Sequence, residues 1–295
     1  MLLGVVVAVC LLATACDAGP ATDAASSSAV SGGSSSAPAR PVDYVNIGDS
    51  FSAGAGLGNT VPDSHLFCQR SSSNFAHLVA SSRDLQLSDV SCSGADTIDL
   101  TNDQYFGVPG QLHALDGVHP KLVTVMIGGN NAGVFADVIK DCGDVASDDP
   151  TGAPCTAAYG DKFTDLIQTE TFPALRASLR EIKSQARGAE VLAIGYPYLV
   201  PRNGGCYPMV KMAAGDIPLV RQIERTLNDS VRRAANESGV GFIDMAALSN
   251  GRDACASPDV RWVEPQIGST TAATLHPNER GQQAMADQVL QRFRG

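Results

Sequence analysis

The run Val42-Asp43-Tyr44-Val45-Asn46-Ile47, followed by Gly48-Asp49-Ser50, decides the expected fold. A short run rich in apolar and β-branched residues that stops at a glycine is typical of a strand. The turn that follows would place the Ser50 hydroxyl at the carboxyl end of this strand. Asp, Ser and Thr are also helix-capping residues, and Ser50 taken alone fits a helix N-cap better than a nucleophile. The rest of the chain must therefore decide the role of this serine.

The pattern of residues 42–47 recurs along the chain and alternates with helical patterns. Three more short apolar runs predict strands, and three segments with apolar residues at helical spacing predict helices. The strands are expected at residues 122–127, 191–194 and 240–243, and the helices at residues 172–186, 217–237 and 278–293. Such alternation predicts an α/β fold, a three-layer α/β/α sandwich with a parallel sheet. In such a sheet the binding crevice lies beyond the carboxyl ends of the strands. Residues 141–161 are expected to form a disulfide-closed loop outside the core.

Composition narrows the classes of partner. The chain has 295 residues, of which 44% are hydrophobic, which suffices for the core of one α/β domain. Acidic residues outnumber basic ones by 31 to 21, giving a net charge of -10. No cluster of Lys and Arg offers a footprint for phosphates, so nucleic-acid binding is excluded. A monomer that binds a small-molecule or lipid ester fits this composition.

The N-terminal segment predicts export. Residues 1–16 are apolar except for Thr14 and end in small residues, as in a signal peptide, and they are too short for a permanent membrane span. Residues 17–40, rich in Ala, Ser and Gly, predict a flexible linker, and residues 41–295 the catalytic domain. The segment around Ala13-Thr14-Ala15 suits ordinary signal cleavage. It equally resembles a bacterial lipoprotein signal with lipid on Cys16, so the protein is expected outside the cytoplasm, either free or tethered to the outer face of the membrane.

Six cysteines remain in the predicted domain, an even number that suits an oxidised exported protein. They are Cys68, Cys92, Cys142, Cys155, Cys206 and Cys255. Spacing alone leaves all 15 pairings open. No C-x-x-C motif or Cys/His cluster indicates a metal site.

Four short motifs end strands or precede a helix. They are Gly48-Asp49-Ser50, then Ser91-Cys92-Ser93-Gly94-Ala95, then Gly128-Gly129-Asn130-Asn131, and finally Leu275-His276-Pro277-Asn278. In this order, Ser50, Gly94, Asn130 and His276 resemble the four signature blocks of the SGNH (GDSL) hydrolase family. The resemblance spans about residues 42–293 and is far more specific than any single motif.

The resemblance implies a flavodoxin-like fold and ester hydrolysis without a cofactor, because serine acyl transfer needs only water as second acceptor. Ser50 would be the nucleophile and His276 the general base. The oxyanion hole would consist of the backbone N–H groups of Ser50 and Gly94 and the side chain of Asn130. Gly94 suits a close backbone approach because it lacks a Cβ.

Two positions depart from the family pattern. Ala273 stands three residues before His276, where the family usually has Asp, and Asn131 stands where the third block commonly ends in Asp. We expect a Ser-His dyad in which a backbone carbonyl around Ala273 orients the imidazole. A carboxylate from afar, Asp244 or Glu264, is the alternative.

The order of the six cysteines resembles that of secreted actinobacterial lipases and esterases of this family. That resemblance implies the pairs Cys68 with Cys92, Cys142 with Cys155, and Cys206 with Cys255. A carboxylesterase or lipase acting on acyl esters is the leading hypothesis. The alternatives are a carbohydrate O-deacetylase or cell-envelope glycan esterase, and a non-catalytic exported binding lipoprotein.

Overall fold

A computed structural model describes residues 41–295 and contains one parallel sheet. Its strands are β1 (Tyr44–Gly48), β2 (Leu87–Asp89), β3 (Leu122–Met126), β4 (Glu190–Ile194) and β5 (Gly241–Ile243). Their order in the sheet is β2-β1-β3-β4-β5, with every neighbouring pair parallel. This is the flavodoxin-like order, in which the direction of winding changes between β1 and β3. The predicted fold class is confirmed, and the crevice is expected at the carboxyl ends of β1 and β3.

Helices connect these strands and cover the sheet. They are α1 (Ser50–Ala53), α2 (Phe75–Arg83), α3 (Val134–Ala146), α4 (Pro154–Tyr159), α5 (Lys162–Leu166), α6 (Phe172–Gln185), α7 (Ile217–Ser238), α8 (Met245–Leu248) and α9 (Glu279–Arg292). Side-chain caps start several of them: Asp49 caps α1, Asn74 caps α2, Asp244 caps α8 and Asn278 caps α9. The predicted helices over residues 172–186, 217–237 and 278–293 correspond to α6, α7 and α9.

Alternate residues of each strand pack into two separate apolar clusters. On β3, Leu122 and Met126 join the cluster that contains α2 and α9, whereas Val123 and Val125 join the cluster that contains α6. Successive side chains of a strand point to opposite faces of the sheet. Because the side chains on both faces are buried, helices cover both faces. The molecule therefore has the three predicted layers.

Three disulfides join Cys68 to Cys92, Cys142 to Cys155, and Cys206 to Cys255, the pairing that the resemblance implies. The expectation that residues 141–161 form a loop outside the core is wrong. Cys142 lies in α3, Cys155 lies in α4, and both are fully buried. Val134, Val138, Cys142 and Ala146 recur every four residues and bury one face of α3.

The predicted signal (residues 1–16), the predicted linker (residues 17–40) and Cys16 lie outside the described residues. Across residues 41–295, every helix is too short or too polar to cross a membrane.

Candidate active site

Ser50 is the first residue of α1 and directly follows the turn that ends β1. The carboxamide of Gln111 clamps this turn on both sides of Gly48. It accepts a hydrogen bond from the Gly48 N–H (2.8 Å) and donates one to the Gly48 carbonyl (3.0 Å). Ser50 is only 6% exposed, so its hydroxyl faces a narrow crevice rather than open solvent.

His276 lies two residues before Asn278, the N-cap of α9, and reaches across to Ser50. The distance between Ser50 Oγ and His276 Nε2 is 2.8 Å, and that between His276 Nδ1 and the Thr274 carbonyl oxygen is also 2.8 Å. Because a carbonyl oxygen only accepts, Nδ1 carries the hydrogen and Nε2 is free to accept the Ser50 proton. The imidazole is thus held in the tautomer that a general base requires.

Two aromatic rings shield this imidazole. Its centroid lies 5.0 Å from the Phe51 ring and 6.0 Å from the Phe135 ring. Burial lowers the pKa of His276 below its usual range, and the hydrogen bond to Thr274 only partly opposes this effect. The neutral form of His276 therefore predominates at neutral pH.

The group that orients His276 is a backbone carbonyl, as expected in the region of Ala273, and it belongs to Thr274. The two carboxylates considered as alternatives, Asp244 and Glu264, bind other groups. Asp244 accepts a hydrogen bond from the Ala247 N–H at the start of α8. Glu264 is buried and binds Arg261 through both carboxylate oxygens, at 3.1 and 2.6 Å. Neither carboxylate bonds to the imidazole.

Glu264 instead fixes the loop that carries His276. Its Oε2 accepts a hydrogen bond from the Thr270 N–H (2.8 Å), and its backbone pairs with His276 and Leu275. Burial alone would raise the pKa of Glu264, but the hydrogen bonds from Arg261, Asn278 and Thr270 outweigh it and lower that pKa. The carboxylate is ionised and holds the loop rather than the ring.

The other two predicted site residues follow β2 and β3, the two strands that flank β1 in the sheet. Gly94 is exposed in the loop after β2, with φ +80°, and an added Cβ would meet only ordinary contacts. The left-handed backbone, rather than a close approach, therefore explains the glycine. The Asn130 amide, after β3, donates one hydrogen bond to the Ala95 carbonyl (2.9 Å), which fixes its plane beside the Gly94 loop.

Asn131 ties the second and third motifs together. Its amide nitrogen donates to Thr97 Oγ1 (2.5 Å) and its carbonyl oxygen accepts from the Thr97 N–H (3.3 Å). An amide can donate and accept at once, whereas a carboxylate can only accept. With Asn131, both the N–H and the hydroxyl of Thr97 are paired without a buried charge.

Sequence reasoning missed a buried pair next to Ser50. Tyr196, directly beyond β4, donates its phenolic hydrogen to Asp49 (2.5 Å) and accepts a hydrogen bond from the Gly129 N–H (3.0 Å). Burial raises the pKa of Asp49 to about 7, although the Tyr196 hydrogen bond acts to lower it. Tyr196 follows a strand as the motif residues do, which is the one signal that could have identified it. Gln111 has no such signal, because it lies in a connecting segment without a motif.

The described residues 41–295 contain no group of three or more His, Cys, Asp or Glu side chains placed to hold a metal ion.

Comparison with known families matches residues 47–284 to the GDSL-like Lipase/Acylhydrolase family. The chain belongs to this family. The match confirms the family and the class of enzyme that the four motifs predict, an ester hydrolase.

Relatives of this GDSL-like hydrolase come from Streptomyces. It is 40% identical over 252 residues to Lipase 2 of Streptomyces coelicolor, covering 84% of this chain and 85% of the lipase. The crystal structure of phospholipase A1 from Streptomyces albidoflavus matches with a TM-score of 0.70 and 26% identity, over 86% of this chain and 100% of that one. An extracellular lipase from Streptomyces rimosus matches with a TM-score of 0.68 and 27% identity, over 85% and 99%.

Gly56 tests how closely the His276 loop must be placed. Its carbonyl accepts a hydrogen bond from the Ala272 N–H (3.1 Å), and an added Cβ would lie 2.3 Å from the Ala273 nitrogen. Gly56→Ala of this GDSL-like hydrolase should therefore displace the loop and lower kcat/KM on the order of 100-fold. Gly58→Ala is the matched control, because Gly58 has a similar φ (+74° against +84°) and open space around it. Equal losses in the two variants would show that backbone strain alone is responsible.

Tyr196→Phe tests the link between Asp49 and Gly129. The variant leaves the Gly129 N–H without its acceptor and removes one donor from Asp49, which keeps the hydrogen bond from the Phe51 N–H (3.0 Å), so the free energy of unfolding should fall by about 1–3 kcal/mol. Tyr196 stabilises the ionised form of Asp49, whose pKa is about 7. The loss should accordingly be larger at pH 8 than at pH 5, and kcat should fall more than KM changes.

Urea denaturation at both pH values measures the stability loss. Tyr198→Phe is the control in the same loop, because the Tyr198 hydroxyl makes no hydrogen bond to the described residues. A loss that is equal at pH 5 and pH 8 would contradict the role assigned to the Asp49 carboxylate.

Proposed function

We propose that this hydrolase cleaves carboxylic esters of acyl chains outside the cytoplasm, with Ser50 as nucleophile and His276 as general base. One observation carries the proposal. Ser50 Oγ and His276 Nε2 are 2.8 Å apart while Nδ1 is held by the Thr274 carbonyl, so the serine proton has an acceptor of the correct tautomer. A protein that only binds ligands has no need of this arrangement.

The reaction proceeds in two halves. Ser50 Oγ attacks the ester carbonyl carbon and its proton passes to His276 Nε2, giving a tetrahedral intermediate with one negative oxygen. The intermediate collapses as the C–O bond to the alcohol breaks and the leaving oxygen takes the proton from Nε2. Water, deprotonated by His276, then attacks the acyl-enzyme, and Ser50 regains its proton when the carboxylic acid leaves.

The negative oxygen of the intermediate would be stabilised by three donors. They are the backbone N–H groups of Ser50 and Gly94 and the amide of Asn130, which follow β1, β2 and β3. The Asn130 amide uses one hydrogen on the Ala95 carbonyl and has a second to offer. Loss of one such donor typically costs about 3 kcal/mol of transition-state stabilisation.

An apolar pocket favours an acyl chain over a sugar as the acid part of the substrate. Two small adjoining cavities, of about 40 and 50 Å³, share Phe135, Leu199 and Leu227 in their walls. Phe51 and Phe135 of these walls also contact the His276 ring, so the cavities lie beside the proposed catalytic pair. Apolar walls next to a few polar groups are typical of sites for apolar ligands.

Glu224 also lines both cavities. Its carboxyl accepts a hydrogen bond from the Leu199 N–H (2.6 Å), and burial raises its pKa to about 8. At neutral pH the group is predominantly protonated. The pocket therefore carries no net charge that would repel an acyl chain.

Export is supported by the three disulfides, which persist in oxidising compartments, and by similarity to the extracellular lipase of Streptomyces rimosus. Tethering through Cys16 stays a prediction, because Cys16 lies outside the described residues. The monomeric state stays a prediction as well.

The pH dependence of hydrolysis follows from the lowered pKa of His276. Only neutral imidazole accepts the Ser50 proton, so kcat/KM for a soluble acetate ester should fall with decreasing pH, with a midpoint below 6.5. Phe135→Ala should admit water to the imidazole and move this midpoint upwards, towards 6.5. An NMR titration of the His276 Cε1 proton assigns the midpoint to the imidazole rather than to Asp49. A wild-type midpoint above 6.5 would contradict the predicted direction.

Hydrolysis of p-nitrophenyl esters from acetate to palmitate, together with acetylated xylan, tests the function. Ser50→Ala should abolish hydrolysis of every ester, and Asn130→Ala should lower kcat about 100-fold, since about 3 kcal/mol corresponds to that factor. Ser73→Ala is the control, because it removes a hydroxyl that accepts a hydrogen bond from the Asn59 amide (3.1 Å) at an exposed site.

Each outcome has a distinct meaning. Cleavage of acyl esters by wild type, but not by Ser50→Ala, supports the proposal. Cleavage of acetylated xylan alone would instead support the carbohydrate deacetylase. If wild type cleaves none of these substrates, the proposed function fails.

A further inference from the structure

An exposed apolar patch lies on the surface near Gly94. We use the term apolar patch for Leu66, Phe67 and Phe106, whose side chains are 76%, 60% and 101% exposed. Single exposed apolar residues are common, but three large ones on neighbouring loops are unusual for a soluble surface.

The patch stands on a rigid base. Cys68, the residue after Phe67, is bonded to Cys92, and its carbonyl accepts a hydrogen bond from the Ser93 N–H (3.0 Å). Tyr105, the residue before Phe106, packs against the Phe67 ring at 5.5 Å and stacks on the His65 ring at 5.5 Å. With the loops held in this way, the apolar side chains face solvent and do not fold back into the core.

The base of the patch adjoins the proposed oxyanion site. A Cβ built on Gly94 would lie 3.7 Å from the Tyr105 hydroxyl, and Gln104 donates a hydrogen bond to the Ser93 carbonyl (2.9 Å). The neighbouring Cys92 N–H donates to the Gly48 carbonyl at the end of β1 (2.9 Å). A surface that covered the patch would therefore lie at the rim of the crevice that holds Ser50.

Charge indicates which surface the patch fits. Residues 61–69 and 101–110 contain no Lys or Arg, and their charged residues are Asp63 and Asp103. The whole chain carries a net charge of -10. An anionic membrane would repel this face, and two copies of the chain would repel each other. A neutral or zwitterionic lipid layer would not.

We propose that the apolar patch inserts into the surface of a neutral or zwitterionic lipid layer and so places the Ser50 crevice against the esters of that layer. The inference rests on the proposed function, because it explains how an acyl ester in an aggregate reaches the site. Phe106 is fully exposed, and none of the three side chains lines the two apolar cavities beside His276. The patch therefore acts in docking and not in the chemical step.

Binding is tested with Ser50→Ala protein, which holds the lipid without consuming it, and with phosphatidylcholine vesicles in a flotation assay. The triple variant Leu66→Ser, Phe67→Ser, Phe106→Ser should bind at least about 100-fold more weakly, because each of these side chains gains by leaving water. Leu248→Ser is the matched control. Leu248 is 43% exposed and lies in α8, which follows β5. The strands β5 and β2 form opposite edges of the sheet and are four spacings of about 4.8 Å apart, about 19 Å in all.

Catalysis provides the second measurement. In protein that retains Ser50, the triple variant should keep its kcat/KM for monomeric p-nitrophenyl acetate. Its rate of hydrolysis of phosphatidylcholine vesicles or emulsified triacylglycerol should fall at least about tenfold. Leu248→Ser should change neither. Equal losses on the soluble and aggregated substrates would overturn the docking role.

The remaining outcomes also decide the matter. Unchanged vesicle binding by the triple variant, or tighter and salt-sensitive binding to phosphatidylserine vesicles, would overturn the proposal. A wild-type dimer that the triple substitution dissociates would assign the patch to a second copy of the chain instead. Vesicle binding by Ser50→Ala together with no ester hydrolysis by wild type would refute the proposed function while leaving the docking surface intact.

Discussion

The buried carboxyl of Asp49 is the constraint around which the site is built. It caps α1 and so fixes the direction in which Ser50 leaves β1. It also accepts the Tyr196 hydroxyl, which in turn holds the Gly129 N–H next to Asn130. The ends of β1, β3 and β4 are thereby joined through one group. A carboxyl in such a place is costly to ionise, as its pKa of about 7 shows, and its partners offset part of that cost.

Within residues 41–295, no carboxylate hydrogen-bonds to His276 beside Ser50, where the family usually has an Asp. The Thr274 carbonyl in the His276 loop takes the place of that carboxylate. The carboxylate that holds the His276 loop, Glu264, is bound to Arg261 and to the Thr270 N–H. The imidazole receives only the dipole of the Thr274 carbonyl, which fixes its tautomer but offers little charge. Because a dipole stabilises imidazolium less than a full negative charge does, the pKa of His276 stays low. The hydrogen bond to the loop orients the imidazole and burial keeps it neutral, as the proposed role of general base requires.

Much of this arrangement could be predicted because it follows from local patterns. Apolar runs gave the strands near their observed bounds, whereas Ser50, Gly94, Asn130 and His276 were chosen because their four motifs together resemble the SGNH signature blocks. The helical parts of residues 141–161 were missed because Cys142, Cys155, Pro150 and Pro154 suggested a disulfide-closed loop. Gln111 and Tyr196 could not be assigned, since their partners lie 63 and 147 residues away and only the fold shows which contacts form. Glu264 was considered only as a partner of His276, and its ion pair with Arg261 was missed.

The Ser50 and His276 side chains hydrogen-bond across a separation of 226 residues. Ser50 follows the first strand of the domain, and His276 lies in the segment before its final helix. During synthesis from the N-terminus, the hydroxyl emerges early and the imidazole among the last residues. A growing chain therefore cannot assemble the pair, and neither can a fragment that stops short of residue 276. Under the proposed mechanism, ester hydrolysis therefore becomes possible only after residue 276 has been made and folded against Ser50.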